Sequence, residues 1–169
     1  MKIVPVVIGA VAAVTIISCS STASPHPTAG GSSSAPSPTA VATTSPASDC
    51  LASMQDWKTR PGFKSIPTIG KALGRVAKDS RTLNVSEMRI DLTLASIGAG
   101  IVLEDPPPAC IPGFRPWLLV AMNDIVAANR ALHRGGISGV DRAGTLISEA
   151  GAALRRSGRA FNRWFSLQP

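Results

Sequence analysis

In two parts of the sequence, three basic side chains follow one another at intervals of three or four residues. Such a series of cations can bind anions. The first series is Lys71, Arg75 and Lys78, and the second is Arg155, Arg159 and Arg163. Residues three or four apart share a face of a helix, so each series would place three cations side by side. Such a face attracts anionic lipid head groups, acidic wall polymers, nucleic acid or an acidic protein.

Basic charge is concentrated in two parts of the chain. The sequence has 17 Lys and Arg against 10 Asp and Glu, a formal charge of +7. Residues 58–81 hold seven basic side chains and one acidic one, and residues 142–163 hold five basic and one acidic. Residues 82–141, between them, hold four basic and six acidic ones. The two basic series therefore indicate binding surfaces, although ordinary solvated helix faces have the same pattern.

Residues able to perform acid–base or nucleophilic catalysis are scarce. The chain has no Tyr and two His, and His133 stands where a helix C-terminus would use its charge. Gly70 and Lys71 lack the other residues of a phosphate loop, and Ser138 does not lie in a Gly-x-Ser-x-Gly sequence. No metal-spaced Cys/His cluster occurs. The sequence predicts a protein that is not an enzyme, with no catalytic residue, metal or cofactor.

The N-terminus has the features of an export signal. A positively charged start precedes an apolar run over residues 3–17, which ends in Ser18 and Cys19. This order matches a secretory signal peptide, and the run is shorter than the roughly 20 residues that a membrane-spanning helix needs. We therefore expect residues 1–18 to be removed as a signal peptide.

The four residues Ile16-Ile17-Ser18-Cys19 resemble the bacterial lipobox. The resemblance implies a diacylglyceryl thioether on Cys19, cleavage before it, and a mature chain anchored on the extracytoplasmic face of the cell membrane. Two acyl chains hold a protein on a bilayer stably. A plain secretory signal with an incidental cysteine is the alternative. An exported protein of this charge is expected to bind an anionic lipid, a wall polymer or an acidic envelope protein, and no nucleic acid.

Residues 19–48 form the expected tether. Between residues 20 and 48, 27 of 29 positions are Ser, Thr, Pro, Ala or Gly, and none is charged. Such a chain has too little apolar surface to offset its conformational entropy, so we expect it to be disordered. A flexible chain of this length spans about 30 Å.

Cys50 and Cys110 remain once Cys19 carries lipid, and an even pair in an oxidising compartment favours a disulfide. Two free thiols are the alternative. A bridge would tie the start of the domain to a loop at its middle, because Cys110 follows three consecutive prolines.

Helical periodicity accounts for the domain, which spans residues 49–169. The expected helices cover residues 49–59, 66–81, 85–103 and 116–134, and a last one begins at a Ser138 cap. Four long helices, the last with a seven-residue apolar repeat, predict an all-α fold, an antiparallel four-helix bundle preceded by a short N-terminal helix.

The third helix has a competing pattern. Residues 88–94 alternate as a strand does, but the helical repeat runs longer and no partner strand is evident. A second apolar stripe on this helix comprises Ile90, Leu94, Ile97 and Ile101. Two stripes predict that this helix is the most buried of the set.

Gly144, Gly151 and Gly158 repeat every seven residues on one flank of the last helix. Each glycine costs a helix about 0.5–1 kcal/mol relative to alanine, so the repeat needs an explanation. Close approach of a neighbouring helix is one explanation. A groove that holds an apolar small molecule is the other, and it gives an alternative function as a carrier or sensor.

Three short sequences occur in order along the domain: Trp57-x-x-x-Pro-Gly, Pro-Pro-Pro-Ala-Cys110 and Arg134-Gly-Gly. In this order they resemble small helical domains of actinobacterial lipoproteins whose activity is generally unassigned. The resemblance implies an all-helical fold and an envelope location, and it carries no catalytic residue.

Overall fold

The computed structural model describes residues 46–167 as five α-helices. They are α1 (Pro46–Thr59), α2 (Pro61–Arg81), α3 (Val85–Glu104), α4 (Phe114–Arg134) and α5 (Gly136–Ser166). This part of the chain contains no strand, so the predicted all-α class is confirmed. Residues 1–45, with Cys19 and most of the predicted tether, and residues 168–169 lie outside the described residues.

Four of the five helices begin earlier than the sequence pattern indicated, and α5 is the last of them. α2 starts at Pro61 rather than near Ile66, because proline fits the first helical position, where no N–H bond is lost. Pro67 consequently lies inside the helix rather than in its first turn. α1 and α4 start at Pro46 and Phe114, each two or three residues before the expected position.

The two predicted N-terminal caps have different outcomes. Asn84 caps α3 as predicted, since its side-chain oxygen accepts a hydrogen bond from the Glu87 N–H at 3.4 Å. The Ser138 cap of α5 is wrong, because α5 begins at Gly136 directly after Gly135. These two glycines have φ angles of 71° and 76°, which other residues rarely adopt, so the chain reverses there.

The helices pack in chain order, α1 on α2, α2 on α3, α3 on α4 and α4 on α5. Gly62 contacts Asp105 while Arg75 contacts Asp91, so residues further along α2 meet residues earlier in α3. Within the described residues, α2 and α5 do not approach to packing distance. The predicted bundle is therefore not confirmed as a closed set of four helices.

Asp105 joins the first three helices at one end of the domain. Its backbone oxygen accepts a hydrogen bond from the Trp57 indole N–H at 3.1 Å, and its Oδ2 accepts one from the Gly62 N–H at 2.9 Å. Its other carboxylate oxygen pairs with the Arg60 guanidinium. A side chain at position 62 would collide with the Asp105 backbone oxygen, so this junction requires glycine.

The predicted disulfide between Cys50 and Cys110 is confirmed, with the two Cα atoms 5.6 Å apart. It connects α1 to the loop between α3 and α4. Next to it in α1, the fully buried Trp57 packs edge-on against Phe63 and Phe114, with ring centroids 5.2 and 6.2 Å away. In the chain-entropy model a bridge that closes about 60 residues contributes about 4 kcal/mol. α1 is thus held by a covalent bond as well as by packing.

α3 has one buried and one exposed apolar stripe. The buried stripe comprises Leu92, Ala95, Ala99 and Val102. On the other stripe, Ile90 is 56% exposed, Leu94 43% and Ile97 59%. The prediction that α3 is the most buried helix is therefore wrong. Its neighbours among the described helices are α2 and α4, and neither covers its outward side.

Candidate functional site

The first basic series lies on the exposed side of α2. Lys71, Arg75 and Lys78 are all solvent-exposed, whereas Ile69 and Val76 face the core. The helix is therefore amphipathic, with its cations on the polar side. Within the described residues, neither lysine has an acidic partner at ion-pair distance.

Arg75 has a structural role that the sequence pattern did not reveal. Its Nε donates a hydrogen bond to Asp91 Oδ1 of α3 at 2.6 Å. Asp91 is buried, so the guanidinium neutralises a carboxylate that would otherwise be costly to remove from water. The sequence contained a sign of this pairing, because Asp91 is an acidic residue among the apolar positions of α3. Lys71 and Lys78 therefore remain as the uncompensated charges of this series.

The second basic series lies on the outer side of α5. Arg155, Arg159 and Arg163 are exposed, and no acidic side chain in the described range pairs with them. Arg156 differs, because its guanidinium carbon lies 4.5 Å from the centre of the Trp117 ring of α4. This cation–π contact stabilises the α4–α5 pair.

The two basic series form two separate surfaces. Periodicity alone does not show whether the helices that carry them are neighbours, in which case they would form one broad cationic face. In the structure α3 and α4 lie between α2 and α5 in the order of packing, and α2 and α5 are not in contact within residues 46–167. The two series therefore do not form one continuous cationic face across an α2–α5 contact.

A third cationic cluster was missed from the sequence. Arg130 and Arg134 of α4 and Arg142 of α5 line one shallow pocket, together with Ala131 and Leu146. The three arginines are scattered in sequence, and the one-residue turn between α4 and α5 brings them together. The sequence signal was weak, because Arg130 and Arg134 also fit the ordinary preference for cations at a helix C-terminus.

Asp124 of α4 has a raised pKa. Burial of its carboxyl group is the main cause, Glu149 of α5 adds repulsion, and Arg142 partly offsets both. Two carboxylates and an arginine therefore interact across the α4–α5 contact, apart from the α5 arginine series.

The glycine flank of α5 is open. A methyl group built on Gly144 or Gly158 would meet nothing within 4 Å, and one on Gly151 would meet only the Arg155 side chain. Close approach of a neighbouring helix is therefore not the reason for the repeat within the described residues. Two shallow surface pockets in the described residues, one beside α1 and one between α4 and α5, are lined by other residues. A ligand groove beside these glycines stays a prediction.

His133 lies in the last turn of α4, as expected for a cation at a helix C-terminus. Its Nε2 is 3.1 Å from the Thr93 Oγ1 of α3. No group of three His, Cys, Asp or Glu side chains in residues 46–167 is arranged to hold a metal ion.

Comparisons with known proteins supply no relative, since no family model, curated protein or solved structure matches this chain. None of the described helices combines the length and apolar content needed to cross a bilayer. The proposals below therefore depend on the exposed charges and apolar side chains of the helices and on the residues around Cys19.

Proposed function

We propose that this chain is a lipid-anchored protein of the extracytoplasmic membrane face whose helical domain binds an anionic surface or an acidic protein, without catalysis. The observation that carries the proposal is that five basic side chains are exposed without acidic partners among the described residues. They are Lys71 and Lys78 of α2 and the α5 arginines Arg155, Arg159 and Arg163. Near an anionic bilayer each such cation contributes about 1 kcal/mol to binding. A surface of this kind binds by charge and needs no enclosed pocket.

The lipobox-like sequence supports the location. An acylated Cys19 would hold the domain near the membrane, and 26 residues separate it from Pro46, where α1 begins. Attachment through a tether makes binding intramolecular, at an effective concentration that reaches the millimolar range for short flexible linkers. A weak cationic surface then suffices for stable docking.

The anchor is tested by the mass and distribution of the protein. We expect the mature N-terminal peptide to carry a diacylglyceryl group on Cys19, and the Cys19→Ser variant to leave the detergent-extracted membrane fraction. A mature chain without lipid, or an unchanged distribution of the variant, would refute the anchor and leave the basic surfaces to be judged separately.

Surface binding is tested by charge reversal, with a control that matches the net charge of the α5 variant. The lipidated protein is reconstituted into vesicles, and energy transfer from its tryptophans to a labelled head group reports how closely the domain approaches the bilayer. The first variant combines Arg155→Glu, Arg159→Glu and Arg163→Glu, and the second combines Lys71→Glu and Lys78→Glu. A control with Lys58→Glu, Arg89→Glu and Arg115→Glu has the same net charge as the first variant, and its residues lie outside the three cationic clusters.

We expect energy transfer in anionic vesicles that falls steeply between 0.1 M and 1 M salt, over which the screening length shortens from about 10 Å to about 3 Å. Charge reversal in at least one of the two series should reduce the energy transfer more than the control substitutions do. Losses that follow only the number of reversed charges, equal for the first variant and the control and smaller for the second variant, would indicate that net charge alone attracts the domain. An acidic protein partner is indicated instead if salt has no effect on vesicles while a purified envelope protein binds.

We also propose that α2, α3, α4 and α5 form an antiparallel four-helix bundle. The contacts between α2 and α3 support the opposed directions of these two helices, and connections of one to nine residues between helices favour the same alternation throughout. The bundle would be open along the side where α2 and α5 do not touch.

A further inference from the structure

An uncovered apolar stripe lies along the outward side of α3. It comprises Ile90, Leu94, Ile97 and the half-buried Ile101, and is called here the α3 outer face. Eleven residue steps separate Ile90 from Ile101, which is about 16 Å along a helix. Between Glu87 and Glu104, which are exposed at its two ends, the stripe itself contains no charged residue.

The residues of this stripe differ from the other exposed apolar residues because they lie in a row along one side of a single helix. Leu83, Val120 and Ile137 are also exposed, but each lies singly. Phe165 and Leu167 are exposed together at the end of α5, where they do not extend into a stripe along the helix. Scattered residues of that kind are normal on protein surfaces, whereas a contiguous apolar patch marks an interaction site. The α3 outer face therefore needs a partner.

Basic residues of α2 border the same side of the molecule. The Arg75–Asp91 bond and the contact of Ile69 with Gly98 place α2 along one edge of α3. Leu94 lies three residues after Asp91 and four before Gly98, so it adjoins that edge. The exposed lysines of α2 lie four residues before and three after Arg75, on the same side of their helix, and therefore flank the stripe.

We propose that the α3 outer face docks on an anionic phospholipid bilayer. Ile90, Leu94 and Ile97 enter the boundary between head groups and acyl chains, while Lys71 and Lys78 bind lipid phosphates beside them. An apolar stripe next to a row of cations is the pattern of helices that lie in the plane of a membrane interface. This inference rests on the proposed function and names its surface and its partner.

A bilayer fits this face better than a protein groove does. The stripe is a convex helix surface, and the cations border it along α2, which suits a planar layer of phosphates above an apolar interior. The tether also starts at the proposed acyl anchor, so a bilayer is the surface always within reach. The α5 arginines are not part of this docking face.

The test measures which side of the full-length, lipidated protein enters the bilayer. An environment-sensitive fluorophore is attached through Ile97→Cys on the α3 outer face or through Asn162→Cys, an exposed position on α5. The vesicles are phosphatidylcholine alone or a mixture with phosphatidylglycerol, and nitroxide-labelled lipids report the depth of the fluorophore. Energy transfer from the native tryptophans is recorded in parallel, because it reports proximity of the domain regardless of its orientation.

A variant with Ile90→Gln, Leu94→Gln and Ile97→Gln tests the side chains directly, without a label. Its matched control carries Val120→Gln, Ile137→Gln and Leu167→Gln, which replace three exposed aliphatic residues elsewhere. All six residues are exposed, so both variants are expected to fold, and circular dichroism and the melting temperature check this.

We expect quenching at position 97 but not at position 162 in anionic vesicles, and an approximately tenfold lower docked fraction for the α3 variant than for its control. If energy transfer is high but position 97 is not quenched, the inference is wrong while anionic-surface binding stands. If neither signal changes between the two kinds of vesicle, both proposals fail for lipids. A crosslink from position 97 to an acidic envelope protein would then assign this face to a protein partner.

Discussion

The two sides of α3 are built from similar residues and have opposite environments. Leu92 is completely buried between the neighbouring helices, whereas Leu94, two residues later, is 43% exposed. Both leucines satisfy a helical apolar repeat, so composition does not distinguish them. The difference arises because a helix with neighbours on two sides covers its inner side and leaves its outer side to solvent or to a partner.

The same contrast applies to the charges along α2 and α3. Arg75 contacts the buried Asp91 and so holds the two helices together, whereas Lys71 and Lys78 on the same side of α2 have no such contact among the described residues. Identical charge can thus stabilise the fold at one position and remain available for binding at the next. Stability measurements separate the two roles.

The largest expected effect is a difference between two leucines of α3. Leu92→Ala should lower the free energy of unfolding by about 2–5 kcal/mol, since it leaves a cavity in the core. Leu94→Ala should lower it by less than about 1 kcal/mol, because that side chain is largely exposed. Denaturant titration measures both. Equal losses would mean that the outer stripe is covered in the isolated protein.

A second pair of substitutions sharpens the contrast at two glycines of α3. A Cβ at Gly98 would lie 2.7 Å from Ile69 Cγ1, so Gly98→Ala should destabilise the α2–α3 contact by about 1–3 kcal/mol. A Cβ at Gly100 would meet nothing within 4 Å, and Gly100→Ala should stabilise the helix by about 0.5–1 kcal/mol. Thermal melts should therefore shift in opposite directions. Stabilisation by both substitutions would show that α2 and α3 pack more loosely than described.

A third test separates the cation of α2 that stabilises the fold, Arg75, from a cation that is free to bind, Lys71. Arg75→Gln should cost about 1–2 kcal/mol, because it leaves the buried Asp91 without its cation, although exposure of Arg75 screens part of the effect. Lys71→Gln should change stability by less than about 0.5 kcal/mol. The double variant Arg75→Gln with Asp91→Asn should recover part of the loss. No recovery would mean that Arg75 stabilises the fold through another contact.

The smallest effect concerns the α4–α5 contact. The pKa of Asp124 is raised by burial and by Glu149, so its ionised form opposes folding. Stability should therefore fall as the pH rises from the ordinary pKa of 3.8 through the raised value, and stay lower above it. Asp124→Asn should stabilise the protein at pH 7 by about 0.5 kcal/mol or less, and this gain should disappear near pH 3. Melting temperatures across this range measure the effect, and a gain that persists at pH 3 would contradict it.

Local rules predicted the elements of the fold well. The all-helical class, the Asn84 cap and the disulfide between Cys50 and Cys110 each depend on a short stretch of sequence or on the composition of the chain. The start of α2 was missed because proline is compatible with the first helical position, and the Ser138 cap failed because a glycine pair already provided the turn. These errors concern boundaries and do not alter the order of helices.

The candidate surfaces were only partly predictable. The periodic positions of Lys71, Lys78 and the α5 arginines gave their exposure correctly, since cations occupy the side of an amphipathic helix away from its apolar stripe. Periodicity did not show that Arg75 is paired with Asp91, because that bond joins two helices. It also could not gather Arg130, Arg134 and Arg142 into one pocket, since their proximity depends on how α4 meets α5.

By itself the sequence determined which segments are helical and where positive charge accumulates, because both follow from residue type and local spacing. It also favoured the disulfide, because two cysteines lie in the domain. Only the tertiary structure decided which of the two apolar stripes of α3 is buried, that the basic helices are not neighbours, and that the glycine flank of α5 is open. The spacing of apolar residues in a helix sequence shows how many apolar stripes the helix has. The number and direction of neighbouring helices decide which of those faces is covered.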